Sequence, residues 1–141
     1  MSISKNVDII KNFFDLIDKQ GLSPSELKEY IDPEFKDRDR PEQFPKELSD
    51  VDATVGFFIE LKNAFPNGRH QVSILEELSD ERVLVRWRFT GTHSGSGSLF
   101  GMSPTNRDVD INGFDLFRLS NQKITEQWHI QEQAKLYKQL T

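Results

Sequence analysis

The chain has 141 residues, a formal net charge of -5 and no cysteine, so it suffices for one domain but has no disulfides, thiolate nucleophiles or cysteine-ligated metal sites. The acidic balance, with no cluster of lysines and arginines, argues against a nucleic-acid partner, because a basic surface is needed to neutralise phosphates. No apolar run is long enough for a membrane span and no signal peptide is recognisable, so we expect a cytoplasmic protein without a membrane partner.

Helical spacing dominates the first part of the chain. Apolar residues recur three or four positions apart on one predicted helical face, which comprises Ile3, Val7, Ile10, Phe14 and Ile17. Gly21 is a typical end for this helix. A second, short helix is predicted at Ser23-Pro24-Ser25-Glu26, which has the pattern of a capping box with proline in the first turn, and it ends before Pro33.

A loop-rich segment separates these helices from a third one. The stretch from Phe35 to Pro45 is charged and interrupted by proline, which predicts a short edge strand followed by a loop. A third helix is predicted from about Asp50 to Ala64, and Pro66-Asn67-Gly68 then predicts a turn. The apolar side of this helix comprises Val51, Val55, Phe58, Leu61 and Phe65.

After residue 69 the apolar residues alternate, as they do in half-buried strands. Two hairpins are predicted, followed by a short helix at Gln133–Leu140. The predicted strands span His70–Leu78, Arg82–Thr92, Asp108–Leu119 and Lys123–Gln131. Helices first and an antiparallel sheet second indicate one α+β domain over residues 1–141, with the helices on one face of the sheet.

The connection between the two hairpins, His93–Arg107, is rich in glycine, serine and proline and is long for a link between strands. Loops of this length are often functional, so this one is either a flexible loop or a lid over the mouth of a pocket. Leu99, Phe100 and Met102 would give such a lid apolar contacts. The segment Gly95–Gly101 matches neither the dinucleotide-binding nor the P-loop signature, so we expect no nucleotide cofactor.

No metal centre or catalytic triad is predicted. The histidines His70, His93 and His129 are isolated in the sequence and lack the spacing of metal ligands. Asp37 and Asp39 share a strand face, for which a solvated polar surface is the simpler interpretation. No serine lies in a nucleophile-elbow motif, so nucleophilic acyl transfer has no candidate residue.

One carboxylate interrupts an apolar strand face. In the third predicted strand the alternate positions from Val109 to Leu119 are mostly apolar, but Asp115 breaks the pattern. Burial of an unpaired carboxylate is costly, so Asp115 should have a partner or a raised pKa. If the three residues Asn121–Lys123 connect the last hairpin, Asp115 lies opposite His129. The two side chains then form either an acid–base dyad or a purely structural hydrogen bond.

A two-residue connection at Asn121-Gln122 predicts a different register. It sets Asp115 against Trp128 and turns His129 to the opposite face of the sheet. Both faces of the last two strands carry apolar residues, so periodicity leaves both registers open.

Several motifs, most of them in the second half of the chain, carry a resemblance to a known family. In the second half they are Val85-Arg86-Trp87-Arg88-Phe89-Thr90-Gly91-Thr92-His93-Ser94-Gly95, Phe100-Gly101-Met102-Ser103-Pro104-Thr105-Asn106-Arg107, Asn112-Gly113-Phe114-Asp115-Leu116-Phe117-Arg118 and Ile124-Thr125-Glu126-Gln127-Trp128. Upstream they are Tyr30–Asp39 and Phe65-Pro66-Asn67. Together they resemble the SnoaL-like family of polyketide and ester cyclases, within the nuclear transport factor 2-like superfamily. The resemblance implies a cone-shaped α+β fold, in which a curved antiparallel sheet wraps around the N-terminal helices and encloses an apolar pocket. It also implies a homodimer formed through the other face of the sheet.

The resemblance also points to the last two strands as the site. In the cyclases of this family a carboxylate and a histidine there act in acid–base chemistry, and the carboxylate directly follows the tryptophan of the final strand. Here His129 follows Trp128 and Asp115 lies on the neighbouring strand, so the resemblance implies either an exchanged pair or an altered activity. Asn106 stands where the family favours glycine, and His93 matches a T-H-x-G motif that implies a position at the pocket rim.

The function that we predict is acid–base catalysis without a cofactor on a small hydrophobic carbonyl compound, of the cyclase or isomerase kind. His129 is the predicted general base, Asp115 is the carboxylate that orients it, and residues 95–106 cover the pocket. The predicted substrate contacts are Trp87, Phe89, His93, Phe100, Met102 and Phe117. The alternatives are a non-catalytic carrier of a small hydrophobic ligand in the same pocket and a protein-interaction module with an exposed apolar patch.

Overall fold

The computed structural model describes residues 5–96 and 101–141 of the chain. The predicted order of helices and strands is confirmed. In chain order the elements are α1 (Lys5–Ile17), α2 (Pro24–Lys28), β1 (Ile31–Asp37), α3 (Asp50–Ala64), β2 (Arg69–Leu78), β3 (Arg82–Thr92), β4 (Asp108–Ser120), β5 (Lys123–Gln131) and α4 (Gln133–Leu140). Within the described ranges no helix has the length and apolar character that crossing a membrane requires.

The starts of α2 and α3 follow local signals in the sequence. The capping box of α2 is complete, because the Ser23 hydroxyl accepts the backbone N–H of Glu26 at 3.3 Å and Glu26 accepts that of Ser23 at 3.1 Å. α3 begins directly after Ser49, whose hydroxyl accepts the backbone N–H of Asp52 at 3.1 Å. These caps satisfy N–H groups that the first turn of a helix leaves without partners.

The strands form one open sheet in the order β1-β5-β4-β3-β2. β2, β3, β4 and β5 are antiparallel neighbours in sequence order, whereas β1 adds to the free edge of β5 as a parallel strand. The predicted edge strand is therefore confirmed, although it begins at Ile31, before the predicted segment. α1 packs against β2 and β3 and α3 packs against β1, and both helices contribute buried residues to the one apolar core.

Alternation along β3 and β4 determines which face of the sheet is buried. The buried residues of β3 are Val83, Val85, Trp87 and Phe89, as the sequence period predicts. In β4 the odd-numbered positions are buried, and Asp115 among them is only 7% exposed. Phe13 and Phe14 of α1 and Phe65, directly after α3, complete the core. The inner face of β3 and β4 is therefore apolar apart from Asp115.

A β-bulge determines the register of the last hairpin. The turn Asn121-Gln122 has two positive φ angles, 50° and 66°, which is the conformation of a two-residue hairpin turn. Thr125 is then an extra residue on β5, and beyond it the pairing is shifted by one position. As a result Asp115 pairs with His129. The tight turn and the Asp115–His129 pairing, which the sequence presents as alternatives, occur together.

The same bulge sends the apolar residues of β5 to two different faces. Ile124, before the bulge, is 1% exposed and belongs to the core. Trp128 and Ile130, beyond the bulge, lie on the outer face of the sheet, where Ile130 is 72% exposed. Phe114 of β4 pairs with Ile130 and is also exposed. The outer face therefore presents apolar side chains outside the core.

Candidate active site

A cavity of about 840 Å³ lies between the inner face of the sheet and the helices. Most of its wall is aromatic or aliphatic and includes Phe14, Phe57, Phe65, Trp87, Phe89 and Leu136. Its polar lining includes Asp37, His70, Asp115, Gln127 and His129. A cavity of this size is typical of sites for small molecules, in which a few polar groups in an apolar wall orient the ligand.

Asp115 is held inside this wall by two hydrogen bonds. The Trp87 indole Nε1 donates to Asp115 Oδ2 at 2.9 Å, and Gln127 Nε2 donates to Asp115 Oδ1 at 3.2 Å. Burial raises the pKa of Asp115, and it outweighs the opposing effects of the His129 charge and of the two hydrogen bonds. The protonated form of Asp115 is therefore favoured more strongly than in an exposed aspartic acid.

Gly113 allows the indole to reach Asp115. A Cβ atom at Gly113 would lie 2.2 Å from Cζ2 of Trp87, which is far inside contact distance. Because Gly113 has no side chain, the Trp87 ring can lie across β4 at this position. The glycine in the Asn112-Gly113-Phe114-Asp115 motif thus acts through packing against the tryptophan of the neighbouring strand.

We expect Gly113→Ala to destabilise the protein by about 1–3 kcal/mol, the usual cost of overpacking a closed core. The added methyl group would displace the Trp87 indole and weaken its hydrogen bond to Asp115. The free energy of unfolding in urea measures the change. Gly56→Ala in α3 is the matched control, because a Cβ there meets nothing within 4 Å and alanine favours a helix. Equal destabilisation by both substitutions would contradict this interpretation.

His129 is oriented by Asp37, so the prediction that Asp115 orients this imidazole is wrong. His129 Nε2 lies 2.8 Å from Asp37 Oδ1, and the His129 backbone N–H donates to Asp39 Oδ2 at 2.8 Å. The side chain of Asp37 is only 3% exposed, so its assignment to a solvated surface is also wrong. β1 lies beside β5 and brings Asp37 to the imidazole, whereas Asp115 is bonded to Trp87 and Gln127.

The surroundings of His129 favour its charged form. Burial by itself would lower the pKa of His129, but the hydrogen bond to Asp37 and the negative charges of Asp37, Asp115 and Asp39 outweigh it. The pKa of His129 is therefore raised above its ordinary value. A raised pKa makes the neutral imidazole a stronger base, as proton abstraction from carbon requires.

The structure places only some of the predicted substrate contacts in the cavity wall. Trp87, Phe89 and Met102 line it. Phe117 instead packs in the core against Phe13 and Phe14, with ring centroids 6.1 Å apart in each case. Phe100 lies outside the described residues.

His93 is a buried anchor of the loop that follows β3, and it is not among the cavity-lining residues. It is only 1% exposed, and its ring lies 5.2 Å from that of Phe65. The Thr105 backbone N–H donates to His93 Nδ1 at 3.3 Å, and the Thr105 hydroxyl lies 3.2 Å from the same nitrogen. His93 therefore joins the two ends of the loop, and it does not take its predicted position at the pocket rim.

Several polar residues of the cavity are not among those predicted from the sequence. Gln127 lies on the inner face because the bulge at Thr125 shifts the pairing of β5 by one position. Thr54 of α3 also lines the cavity, and its buried hydroxyl makes no hydrogen bond within residues 5–96 and 101–141. Across the same residues no group of three or more histidines and carboxylates is arranged to hold a metal ion.

The family model of the SnoaL-like polyketide cyclases matches residues 9–140. The chain therefore belongs to the SnoaL-like polyketide cyclase family, as its motifs predict. No curated protein sequence matches the chain.

Solved structures share the fold. TsrD from Streptomyces laurentii superposes with a TM-score of 0.80 at 14% identity, over 99% of this chain and 97% of its own. A SnoaL-like polyketide cyclase from Agrobacterium tumefaciens strain C58 gives a TM-score of 0.72 at 18% identity, over 99% of this chain and 100% of its own. These likenesses confirm the predicted α+β fold class.

Proposed function

We propose that the protein catalyses acid–base chemistry without a cofactor on a small hydrophobic carbonyl compound, as a cyclase or an isomerase. One observation carries the proposal: His129 and Asp115, paired side by side in the sheet, line one cavity whose wall is mostly apolar. Titratable groups with shifted pKa values in a cavity are typical of active sites. Membership in the polyketide cyclase family agrees with this chemistry.

His129 acts as the general base. Its Nε2 is bonded to Asp37, which fixes the ring and leaves Nδ1 to take a proton from the carbon beside the substrate carbonyl. The electron pair of the broken C–H bond forms a C=C bond, and the π pair of the carbonyl moves to its oxygen. Asp115, in the protonated form that burial favours, donates a hydrogen bond to this oxygen as its negative charge develops.

The proton held by His129 completes either reaction. In an isomerisation it returns to a different carbon of the substrate. In a cyclisation the enolate carbon adds to a second carbonyl group of the same molecule, and the proton passes to the new alkoxide. Neither route gains or loses electrons overall, so acid–base groups are sufficient for both.

Turnover of a panel of β-keto esters with different apolar substituents tests the proposal. The wild-type protein should consume at least one of them, whereas His129→Ala and Asp115→Asn should consume it far more slowly. Asp110→Asn is the matched control, because Asp110 lies on the same strand as Asp115 but pairs with Arg88 at 2.6 Å on the outer face. Binding without consumption would identify a carrier of small hydrophobic ligands instead, and unchanged turnover in both variants would contradict the site.

We expect a bell-shaped pH dependence of kcat/KM, because the active pair holds one proton. Burial raises the pKa of Asp115 above 3.8, and the carboxylates near His129 overcome its burial and raise its pKa above 6.5. Both limbs of the pH profile report the titration of Asp115 and His129 as a pair, since the two groups interact. The residual rate of Asp115→Asn should lose one limb and show only a rise with pH. An unchanged bell-shaped profile in Asp115→Asn would show that groups other than this pair determine the pH dependence of kcat/KM.

We also propose that two copies of the chain pair through the outer face of the sheet. Phe114 and Ile130 are exposed there, and Arg118 on this face is already paired with Glu126 at 3.0 Å. A self-complementary apolar surface of this kind suits a symmetric dimer.

Light scattering should therefore give the mass of a dimer for the wild-type protein and that of a monomer for Ile130→Glu, which buries a charge at the centre of the interface. Lys11→Glu, an exposed substitution on α1, is the control and should remain dimeric. A monomeric wild-type protein would contradict the proposed dimer.

A further inference from the structure

A second Asp–His pair lies at the cavity, on β2. Asp18, directly after α1, holds His70 at two points: its Oδ1 lies 2.7 Å from His70 Nδ1, and its Oδ2 accepts the His70 backbone N–H at 2.6 Å. These two contacts of Asp18, one with the backbone and one with the ring of His70, fix the orientation of the imidazole. It also favours the tautomer in which Nδ1 carries the hydrogen and donates it to Asp18.

Aromatic rings surround His70 on its remaining sides. The ring centroids of Phe89, Trp87 and Phe14 lie 4.8, 5.3 and 5.7 Å from that of His70. The side chain of His70 is only 6% exposed, and it lines the cavity. Within the described part of the chain its Nε2 makes no hydrogen bond. An imidazole in an apolar wall with one occupied nitrogen therefore has its other nitrogen available to a ligand.

Trp87 connects this pair to the proposed acid–base pair. Its indole Nε1 donates to Asp115, and the ring of the same indole packs against His70. A substrate whose carbonyl oxygen lies at Asp115 thus needs only to extend past one indole ring to reach His70.

We propose that His70, positioned by Asp18, is a substrate-binding residue that accepts a hydrogen bond from a hydroxyl group of the substrate. The inference rests on the proposed function and specifies its substrate class: an apolar carbonyl compound that carries a hydroxyl group at the end away from the reacting carbonyl. In the neutral tautomer set by Asp18, Nε2 has a lone pair and no hydrogen, so it recognises a donor such as a hydroxyl group and disfavours an ether or carbonyl oxygen. The rings around His70 would contact the apolar part that bears this hydroxyl group.

A matched pair of ligands tests this assignment. Ethyl 3-oxo-5-phenylpentanoate and its analogue with a para-hydroxyl group differ only at the proposed contact, and quenching of tryptophan fluorescence reports their binding. The wild-type protein should bind the hydroxylated ester about tenfold more tightly or better, as one hydrogen bond in an apolar site provides. His70→Phe keeps an aromatic ring among Phe89, Trp87 and Phe14. This variant should bind both esters equally, with the affinity for the phenyl ester little changed.

Asp18→Asn provides an independent variant. Its amide can place an N–H group against His70 Nδ1, which moves the ring hydrogen to Nε2 and turns an acceptor into a donor. The preference for the hydroxylated ester should then be lost, although the ring stays in place. A merely structural role of His70 would lower the affinity for both esters equally, and that result would overturn the assignment.

The two proposals fail in different ways. The absence of a wild-type preference, whether the esters bind equally or neither binds, overturns the role of His70 and leaves the test of His129 and Asp115 unaffected. A preference that disappears in His70→Phe and Asp18→Asn supports the role of His70 even if neither ester is consumed, because it is measured as binding.

Discussion

Replacing His129 with alanine should lower kcat/KM for the best β-keto ester by about 10²–10⁴-fold, the usual contribution of a positioned acid–base group. The expectation follows from the placement of the imidazole, which lines the cavity beside Asp115 while Asp37 and Asp39 hold its ring and backbone. Because the substitution leaves space for a small base, added imidazole should restore part of the lost rate. Steady-state kinetics with and without imidazole measure both effects.

The stability of the same variant provides a second check on the charge of His129. The interactions with Asp37, Asp115 and Asp39 overcome burial and raise the pKa of His129 in the folded state. Its stabilising contribution is then fully present below the unfolded-state pKa of about 6.5 and is lost as the pH rises through the folded-state pKa. His129→Ala should therefore destabilise the protein more at about pH 5.5 than at about pH 9.

In the activity test, full activity of His129→Ala without added imidazole would contradict the role of His129 as a base.

Asp115→Asn should lower kcat/KM by about 10²–10³-fold and yet stabilise the folded protein at neutral pH. The loss of rate is the usual cost of removing a donor to the developing oxyanion. The gain in stability arises because burial raises the pKa of Asp115, so its contribution to stability is present below about 3.8 and is lost as the pH rises through the folded-state pKa. Asparagine carries no charge, and it retains both hydrogen bonds if the Gln127 amide turns to present its oxygen.

Activity and stability change in opposite directions only if Asp115 is functional. Urea unfolding at about pH 7 and about pH 4 should show that the gain from Asp115→Asn is largest at neutral pH. Asp110→Asn, on the outer face of the same strand, should change neither activity nor the pH dependence of stability in this way. Full activity in Asp115→Asn, or a loss of stability at neutral pH, would show that Asp115 is an ordinary structural carboxylate.

Much of the fold could be predicted from local patterns. The alternation of Val83, Val85, Trp87 and Phe89 identifies the inner face of β3, because every second side chain of a strand points the same way. The boundaries of α3 follow from its cap and its periodicity. Asp115 is recognisable in the sequence because a carboxylate on an otherwise apolar strand face requires a partner or a raised pKa.

The parts of the site that could not be predicted depend on contacts distant in sequence. The parallel pairing of β1 with β5 brings Asp37 to His129 across 92 positions, and no pattern near either residue specifies it. The bulge at Thr125 changes the face of every later residue of β5 without a sequence signal of its own. Periodicity also assigns a residue to a face of the sheet but not to a part of that face. It places Phe117 on the inner face, but it does not distinguish the cavity wall from the core, where Phe117 packs.

Deuterium incorporation beside the substrate carbonyl tests the central proposal most directly, because it detects removal of the proton whether or not a product forms. Ketones and β-keto esters shown to bind would be incubated with the protein in D₂O and followed by NMR. We predict exchange well above the buffer rate for at least one bound compound with the wild-type protein, and exchange near the buffer rate with His129→Ala and with Asp115→Asn. Binding without accelerated exchange, or equal acceleration by the variants, would contradict an acid–base role for this pair.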